Sequence, residues 1–313
     1  MKYSICFDIG GTRIKLGVMS NAELMHHELV AIDDNSSLKT VLELIKEKVQ
    51  VIQKMYEHDQ LIAIGMSLPC FVDSDKNKIL SNYVKYTDAS DIDLNEWCLQ
   101  NFGVPIFLEN DAKAALMGEA FHGAGKGYQD LVMVTFGTGI GSAVMLNGQL
   151  LKGKDYFAGN LIGHSIIDFN GDQCNCGGEG CLESVASSWA LTEKVENSAA
   201  NIGLKDKPSK IDYKYIFDEE KMGNHAFAYI LDESLDAWGK MMINLILAYN
   251  PECIVCAGGI MNQGEVILNS FRKTIDQHGW ISSENVILKT AENTDFAALY
   301  GLSEIINQKI KRG

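Results

Sequence analysis

Two stretches of the chain share one pattern: an apolar run, a turn rich in glycine and threonine, and a second apolar run. In the first, Ile5-Cys6-Phe7-Asp8-Ile9 precedes Gly10-Gly11-Thr12 and Ile14-Lys15-Leu16-Gly17-Val18. In the second, Leu131–Phe136 precedes Gly137-Thr138-Gly139-Ile140-Gly141 and Ser142–Leu146. Each reads as strand, turn, strand, and the echo suggests two related α/β halves facing one another across a shared cleft. Glu28–Ile32 adds a strand to the first half. Leu38, Val41, Leu42, Ile45, Val49 and Ile52 recur at helical spacing between Ser37 and Tyr56, with Ser36 or Ser37 as N-cap. Leu61–Ser67 is a buried strand stopped by Pro69, Leu94–Phe102 a helix, Pro105–Leu108 a strand and Asp111–Ala120 an alanine-rich helix. The stretch from Ser187 to about Ala248 is largely helical. Cys253–Ala257 is a short buried strand ending in Gly258-Gly259, and a helix over Phe296–Lys311 comes last.

Composition narrows the class. The 313 residues are 46% hydrophobic and 22% charged, as in an ordered globular enzyme of one large or two smaller domains. The net charge of −14 repels nucleic acid. No apolar run approaches the ~20 residues of a membrane span. The N-terminus passes into a strand without the apolar core and cleavage site of a signal peptide, so the expected location is the cytoplasm. There cysteines are normally reduced, and the eight present need a reading other than disulfides. Cys6, Cys70, Cys98, Cys253 and Cys256 are scattered through apolar stretches as small core residues. His164, Cys174, Cys176 and Cys181 make one imidazole and three thiols, a closed set suited to a structural zinc.

The glycine turns carry the second signal. Paired glycines let backbone N–H groups approach an anion, Thr12 adds a hydroxyl donor, and Asp8 is a hard oxygen ligand for Mg²⁺. One such turn is as easily a bare hairpin; three, counting Gly258-Gly259, point to phosphate binding. Neither a Walker P-loop nor a dinucleotide fingerprint is present. Glu109-Asn110-Asp111 ends a strand and opens a helix, where Asn110 suits the N-cap and Asp111 is placed to face a cleft. Among 41 acidic residues, composition does not select Asp111.

These motifs together resemble the ROK family (repressors, open reading frames and sugar kinases) of the actin/hexokinase/Hsp70 superfamily. The likeness runs through Asp8–Thr12 with Lys15, Glu109–Ala115, Gly137–Gly141, Gly163-His164, the Cys174–Cys181 cluster with Glu183, Asn250-Pro251 with Gly258-Gly259, and Ala297–Leu299. It implies two RNase-H-like α/β domains around an active-site cleft: a smaller one over 1–118 plus 295–313, and a larger one over 119–294 with the zinc loop. It also implies an ATP-dependent sugar kinase. Asp8, Gly10, Gly11, Thr12, Lys15, Gly137, Thr138 and Gly139 would hold Mg·ATP phosphates, and Gly258 and Gly259 would lie beside the adenosine. Asp111 would be the general base, with Asn82, Asn110, His164 and Glu183 on sugar hydroxyls. A homodimer is the usual assembly.

Three departures bear on the substrate. In Ala158-Gly159-Asn160-Leu161-Ile162-Gly163-His164 the family's sugar-binding Glu is replaced by Leu161, or by Asn160 after an insertion. Cys70 follows Pro69 where the family has glycine, adding bulk near the sugar. Lys113 replaces an Asn and reads as a solvent-facing change. The acceptor is therefore open among glucose, an N-acetylated hexosamine, fructose and a β-glucoside. A sugar-responsive repressor would carry a DNA-binding module ahead of Asp8, and a sugar-binding protein without kinase activity is the remaining alternative.

Overall fold

The computed structural model describes the chain except residues 34–35, 82–85, 203–211, 294 and 313, and only the backbone of 196–202 and 312. Its described residues divide into two compact units, Met1–Gly127 with Leu150–Ala158 and Glu292–Gly313, and Tyr128–Gln149 with Gly159–Ala291.

The first unit is built on β1 (Lys2–Ile9), β2 (Arg13–Ser20), β3 (Glu23–Ala31), α1 (Leu38–Met55) and β4 (Gln60–Leu68). A hairpin of β5 (Val72–Asp73) and β6 (Lys78–Ile79), helix α2 (Leu94–Phe102), β7 (Ile106–Asn110) and α3 (Asp111–His122) follow. The sheet order is β3-β2-β1-β4-β7. The β1–β2 and β2–β3 pairs are antiparallel, while β4 runs parallel to β1 and β7 parallel to β4. The apolar stripe of α1 is buried at all six expected positions, and Ser37 caps the helix by accepting the Thr40 amide. That stripe joins Ile5, Phe7, Leu16, Ile64 and Leu108 in one core cluster, so the face is closed by hydrophobic burial. Strand β3 begins five residues before the expected Glu28, because Asn21 and Ala22, both at positive φ, make a tight turn straight out of β2.

The second unit repeats the plan. Strands β8 (Leu131–Phe136), β9 (Ile140–Leu146) and β10 (Gln149–Leu150) are followed by helices α4 (Leu182–Ala186), α5 (Ser188–Ile202), α6 (Tyr213–Lys221) and α7 (Ala228–Tyr249). Strand β11 (Cys253–Ala257), α8 (Gly264–Asp276) and β12 (Ile287–Thr290) complete it. The order β10-β9-β8-β11-β12 matches that of the first sheet strand for strand, with β8–β9 antiparallel and β11 parallel to both β8 and β12. Two mixed α/β sheets of this shared order are the RNase-H-like arrangement expected. Strand β12 and helix α8 carry no glycine turn and were not singled out in the sequence. Asn250, at φ 46°, ends α7 and turns the chain into β11 through Pro251.

The last helix, α9 (Ala297–Arg312), returns to the first unit and packs on α3. Their crossing is very close. A Cβ added to Gly118 would lie 1.9 Å from the Ala297 carbonyl oxygen, and one on Gly301 1.8 Å from that of Ala114. Leu299, Leu302 and Ile306 then reach Cys6, Met19 and Ala63 to bury the sheet's other face. The expected boundary at 118/119 falls inside α3, whose turns continue to His122. The fully buried Glu119 accepts the amides of Ala124 (2.8 Å), Glu292 (3.1 Å) and Asn293 (2.6 Å), which keeps those segments with the first unit. No helix among the described residues is long and apolar enough to cross a membrane.

Candidate functional site

In the first unit the parallel register sets Asp8 beside Ser67 and Ser67 beside Glu109, at the carboxyl ends of β1, β4 and β7. Ligands of open α/β sheets gather at that edge. The Asp8 carboxylate accepts the Ser67 hydroxyl at 2.8 Å and faces Lys15 Nζ at 3.2 Å, its partner across the β1–β2 hairpin. Gly10 closes the turn by donating to the Arg13 carbonyl, and Tyr86 Oη donates to the Gly10 carbonyl at 2.8 Å. Gly11 and Thr12 are exposed at the tip. Gly11 is not at positive φ, and a Cβ there would meet nothing within 4 Å. The fold itself does not demand glycine at that position.

Asn110 leaves β7 as the N-cap of α3, its Oδ1 accepting the amides of Ala112 (3.0 Å) and Lys113 (3.2 Å). Its Nδ2 donates to the Cys70 carbonyl at 3.2 Å. The next residue, Asp111, lies in the first turn of α3. Burial, then the nearby Asp8 carboxylate, push its carboxyl up to about 7, while the Ala112 amide and Asn110 pull the other way. Such a carboxyl is poised to exchange a proton near neutral pH.

Two expectations for this region are corrected. The Cys70 side chain is turned into the core cluster with Leu68 and Val72, and its carbonyl accepts from Asn110. Lys113 is not solvent-facing. It is 1% exposed, because α3 is buried on nearly every face, and its Nζ donates to the Tyr156 carbonyl at 2.6 Å. Asn82 lies outside the described residues.

In the second unit two glycine turns share one sheet end. Strand β11 pairs with β8 so that Ala257 lies beside Thr135, and Gly258, at φ 99°, packs against the Phe136 carbonyl. A Cβ on Gly258 would fall 1.9 Å from that oxygen, so the close approach and the positive φ both require glycine. Gly137 and Gly259, by contrast, have no protein atom within 3.8 Å of an added Cβ. Glu183 sits behind the 137–141 turn. Its Oε1 accepts the Ile140 amide at 2.8 Å and its Oε2 accepts Trp189 Nε1 at 3.3 Å. A Cβ on Gly139 or Gly163 would collide with this carboxylate. Trp189 also donates its backbone amide to the Thr138 carbonyl. Ser67 and Trp189 therefore hold candidate groups in place, and neither stands in a motif that would have drawn attention to it.

His164 ends a short 3₁₀ turn, Ile162–His164. Before it, Asn160 is buried and donates to the Ser142 carbonyl at 3.2 Å, while Leu161 is exposed. His164 Nδ1 lies 3.6 Å from Cys174 Sγ, and Cys176 Sγ lies 3.7 Å from Cys181 Sγ. The four donor atoms all fall within 4.8 Å of one another. A tetrahedral zinc with Zn–S bonds of ~2.3 Å would need edges of about 3.8 Å, so the donor set fits the ion. Glycine makes the loop possible: Gly177 and Gly180 are at positive φ, and a Cβ on Gly180 would sit 1.7 Å from the Asp168 carbonyl oxygen. With Nδ1 turned to the thiols, His164 keeps Nε2 for another partner.

The paired RNase-H-like sheets and their glycine turns define an α/β protein of the actin/hexokinase type. The chain belongs to the ROK family, whose model matches residues 4–309. Among its relatives, a glucokinase of Thermotoga maritima is 29% identical over 97% of this chain and 96% of its own length. A xylose repressor of Bacillus spizizenii is 28% identical over 97% of this chain and 77% of its own. A ROK family glucokinase from Streptomyces griseus, solved in complex with glucose and AMPPNP, superposes with a TM-score of 0.74. It is 26% identical and covers 98% of this chain and 99% of its own.

Proposed function

We propose that the protein is an ATP-dependent sugar kinase that phosphorylates a hexose or hexose derivative at its 6-hydroxyl, with Asp111 as general base. The carrying observation is the Asp111 carboxyl, fixed at the start of α3 and raised to about 7. Phosphoryl transfer needs little covalent chemistry from a protein beyond positioning, charge stabilisation and a group to receive the acceptor's proton. Asp111 takes that proton as the hydroxyl oxygen attacks and the terminal phosphoryl group leaves ADP.

The glycine turns support the nucleotide half. Gly11, Gly137 and Gly259 are glycines that neither positive φ nor packing requires, and the lack of a side chain at each suits close approach by a ligand. In this reading Asp8, Gly10, Gly11, Thr12, Lys15 and Gly137–Gly139 receive the phosphates, and Gly258-Gly259 the adenosine. Mg²⁺ arriving with ATP screens phosphate charge, and Asp8 would hold it directly or through water. Asn110 through Nδ2, His164 through Nε2, and Glu183 and Asn82 are the proposed sugar contacts. Zinc on His164, Cys174, Cys176 and Cys181 would be structural. We place the protein in the cytoplasm as a homodimer that binds no nucleic acid.

The likeness to xylose repressors keeps a sugar-binding, non-catalytic reading in view. A coupled ADP-release assay with Mg·ATP over hexoses, N-acetylhexosamines and β-glucosides separates the two. Turnover on one sugar that is absent in Asp111→Asn supports the kinase. Sugar binding without turnover on any member of the panel moves the protein to the regulatory class.

A further inference from the structure

We propose that Lys113 is a positioning residue: it latches the 150–158 segment onto the first turn of α3 and so sets the affinity for the sugar acceptor. The inference rests on the kinase reading for its substrate, and on the following geometry for the latch.

A buried ammonium is costly unless it is paired and hydrogen-bonded. Lys113 is 1% exposed and two residues from Asp111. Its Nζ donates to the Tyr156 carbonyl at 2.6 Å, and the buried Glu109 carboxyl, four residues before it near the end of β7, favours its charge through space while Lys152 opposes it. Glu109 in turn accepts the Asn110 amide at 2.9 Å and a hydrogen bond from Ser74.

Tyr156 stands at φ 62°, a conformation unfavourable for a bulky residue that persists only when its surroundings impose it. Here both ends of the residue are tied. The carbonyl meets Lys113, and the phenol Oη donates to Asp75 at 3.0 Å. Lys152 Nζ reaches the other Asp75 oxygen at 2.6 Å, and the Phe157 ring packs on Phe71 with centroids 5.5 Å apart. Lys309 closes the same network with a hydrogen bond to the Ser74 carbonyl. After Ala158 the chain enters Gly159–His164. The latch thus joins the turn that carries the general base to the segment that leads into His164, eight residues beyond Tyr156. A sugar held by Asn110 and Asp111, on the turn that Lys113 anchors, would register its loosening as weaker binding.

The test uses the full chain with Lys113→Met and the double variant Glu109→Gln/Lys113→Met. Lys113→Met removes the nearby cation that offsets the burial of Glu109, so Tm should fall. Sugar KM should rise about tenfold with ATP KM unchanged. Trypsin should cut after the exposed Lys154 about fivefold faster. The double variant removes the Glu109 charge as well and should regain Tm, yet keep the raised sugar KM and the fast cleavage. Recovery of KM and cleavage rate together with Tm would overturn the proposal, leaving Lys113 as a charge balance for Glu109. If Lys113→Met does not fold, the double variant alone decides between these outcomes. If the wild-type chain turns over no sugar, the kinase reading fails separately. Sugar Kd then replaces KM, and an unchanged Kd or the absence of any sugar binding overturns the affinity claim, while the trypsin ratio still decides the latch.

Discussion

Glu183 Oε1 accepts the Ile140 amide at 2.8 Å, joining the first turn of α4 to the glycine turn between β8 and β9. Glu183 stands two residues after Cys181, the N-cap of α4. The Cys/His cluster, the helix start and the turn are therefore one mechanical chain. Removing the carboxylate leaves the buried Ile140 amide and the Trp189 indole without acceptors, at about 1–3 kcal/mol for each buried group. Glu183→Ala should lower Tm in thermal melts. It should also raise the KM for ATP together with that for sugar, because the turn it supports is the one proposed to meet phosphates. A variant with wild-type ATP KM would separate Glu183 from the turn.

Metal should track with the fold of the 165–181 loop. Purified protein is expected to carry one zinc per chain by elemental analysis, and Cys176→Ser to carry less than a tenth of that. Structural zinc contributes folding energy directly, so the variant should melt earlier and lose its difference from wild type once both are stripped by a chelator. A folded, equally stable, zinc-free variant would remove the structural role.

Asp111 gives a prediction in two directions. As a base it must be charged, so kcat/KM should fall as pH drops through about 7 and approach tenfold loss per unit below it. Stability runs the opposite way. The folded carboxyl holds its proton up to about 7, whereas in the unfolded chain it loses it near 3.8. Between those values the folded state binds the extra proton. The destabilisation from burying the charge is absent below pH 4 and grows until pH 7. Asp111→Asn should therefore raise Tm at pH 8, leave it unchanged at pH 4, and abolish turnover at both. A variant that gains stability equally at pH 4 and pH 8 would show that Asp111 titrates normally.

The α3–α9 crossing allows no side chain at Gly301. Gly301→Ala would place a methyl 1.8 Å from the Ala114 carbonyl oxygen, and the helices must separate to admit it. Overpacking of this kind costs about 1–3 kcal/mol or more, which urea titration would read as a lower midpoint at constant m. Gly11→Ala, in open space, should leave stability unchanged and affect only nucleotide KM.

Much of this was legible in the sequence because the relevant signals are local. The α1 stripe, the two strand–turn–strand echoes and the Cys/His cluster are each read within about twenty residues, and the structure holds all three. What escaped depends on long-range packing. Lys113 reads as solvent-facing because lysine usually is, and its burial is made tolerable by Glu109 and by the Tyr156 carbonyl, 43 residues on. Cys70 sits beside Pro69 in the sequence, but its side chain joins the core cluster of the first sheet. Ser67 and Trp189 matter through what they touch across the fold, and no spacing rule encodes that.

The placement of α9 has a consequence for how the chain is made. On the ribosome, residues 1–127 are made before α9, yet one face of their sheet is covered by Leu299, Leu302 and Ile306 together with Ala114 of α3. Most of the second unit leaves the exit tunnel before that helix does. The usual vectorial order, with the earlier domain maturing first, is thereby altered: the sheet of the first unit gains its full cover only after the second unit has been made.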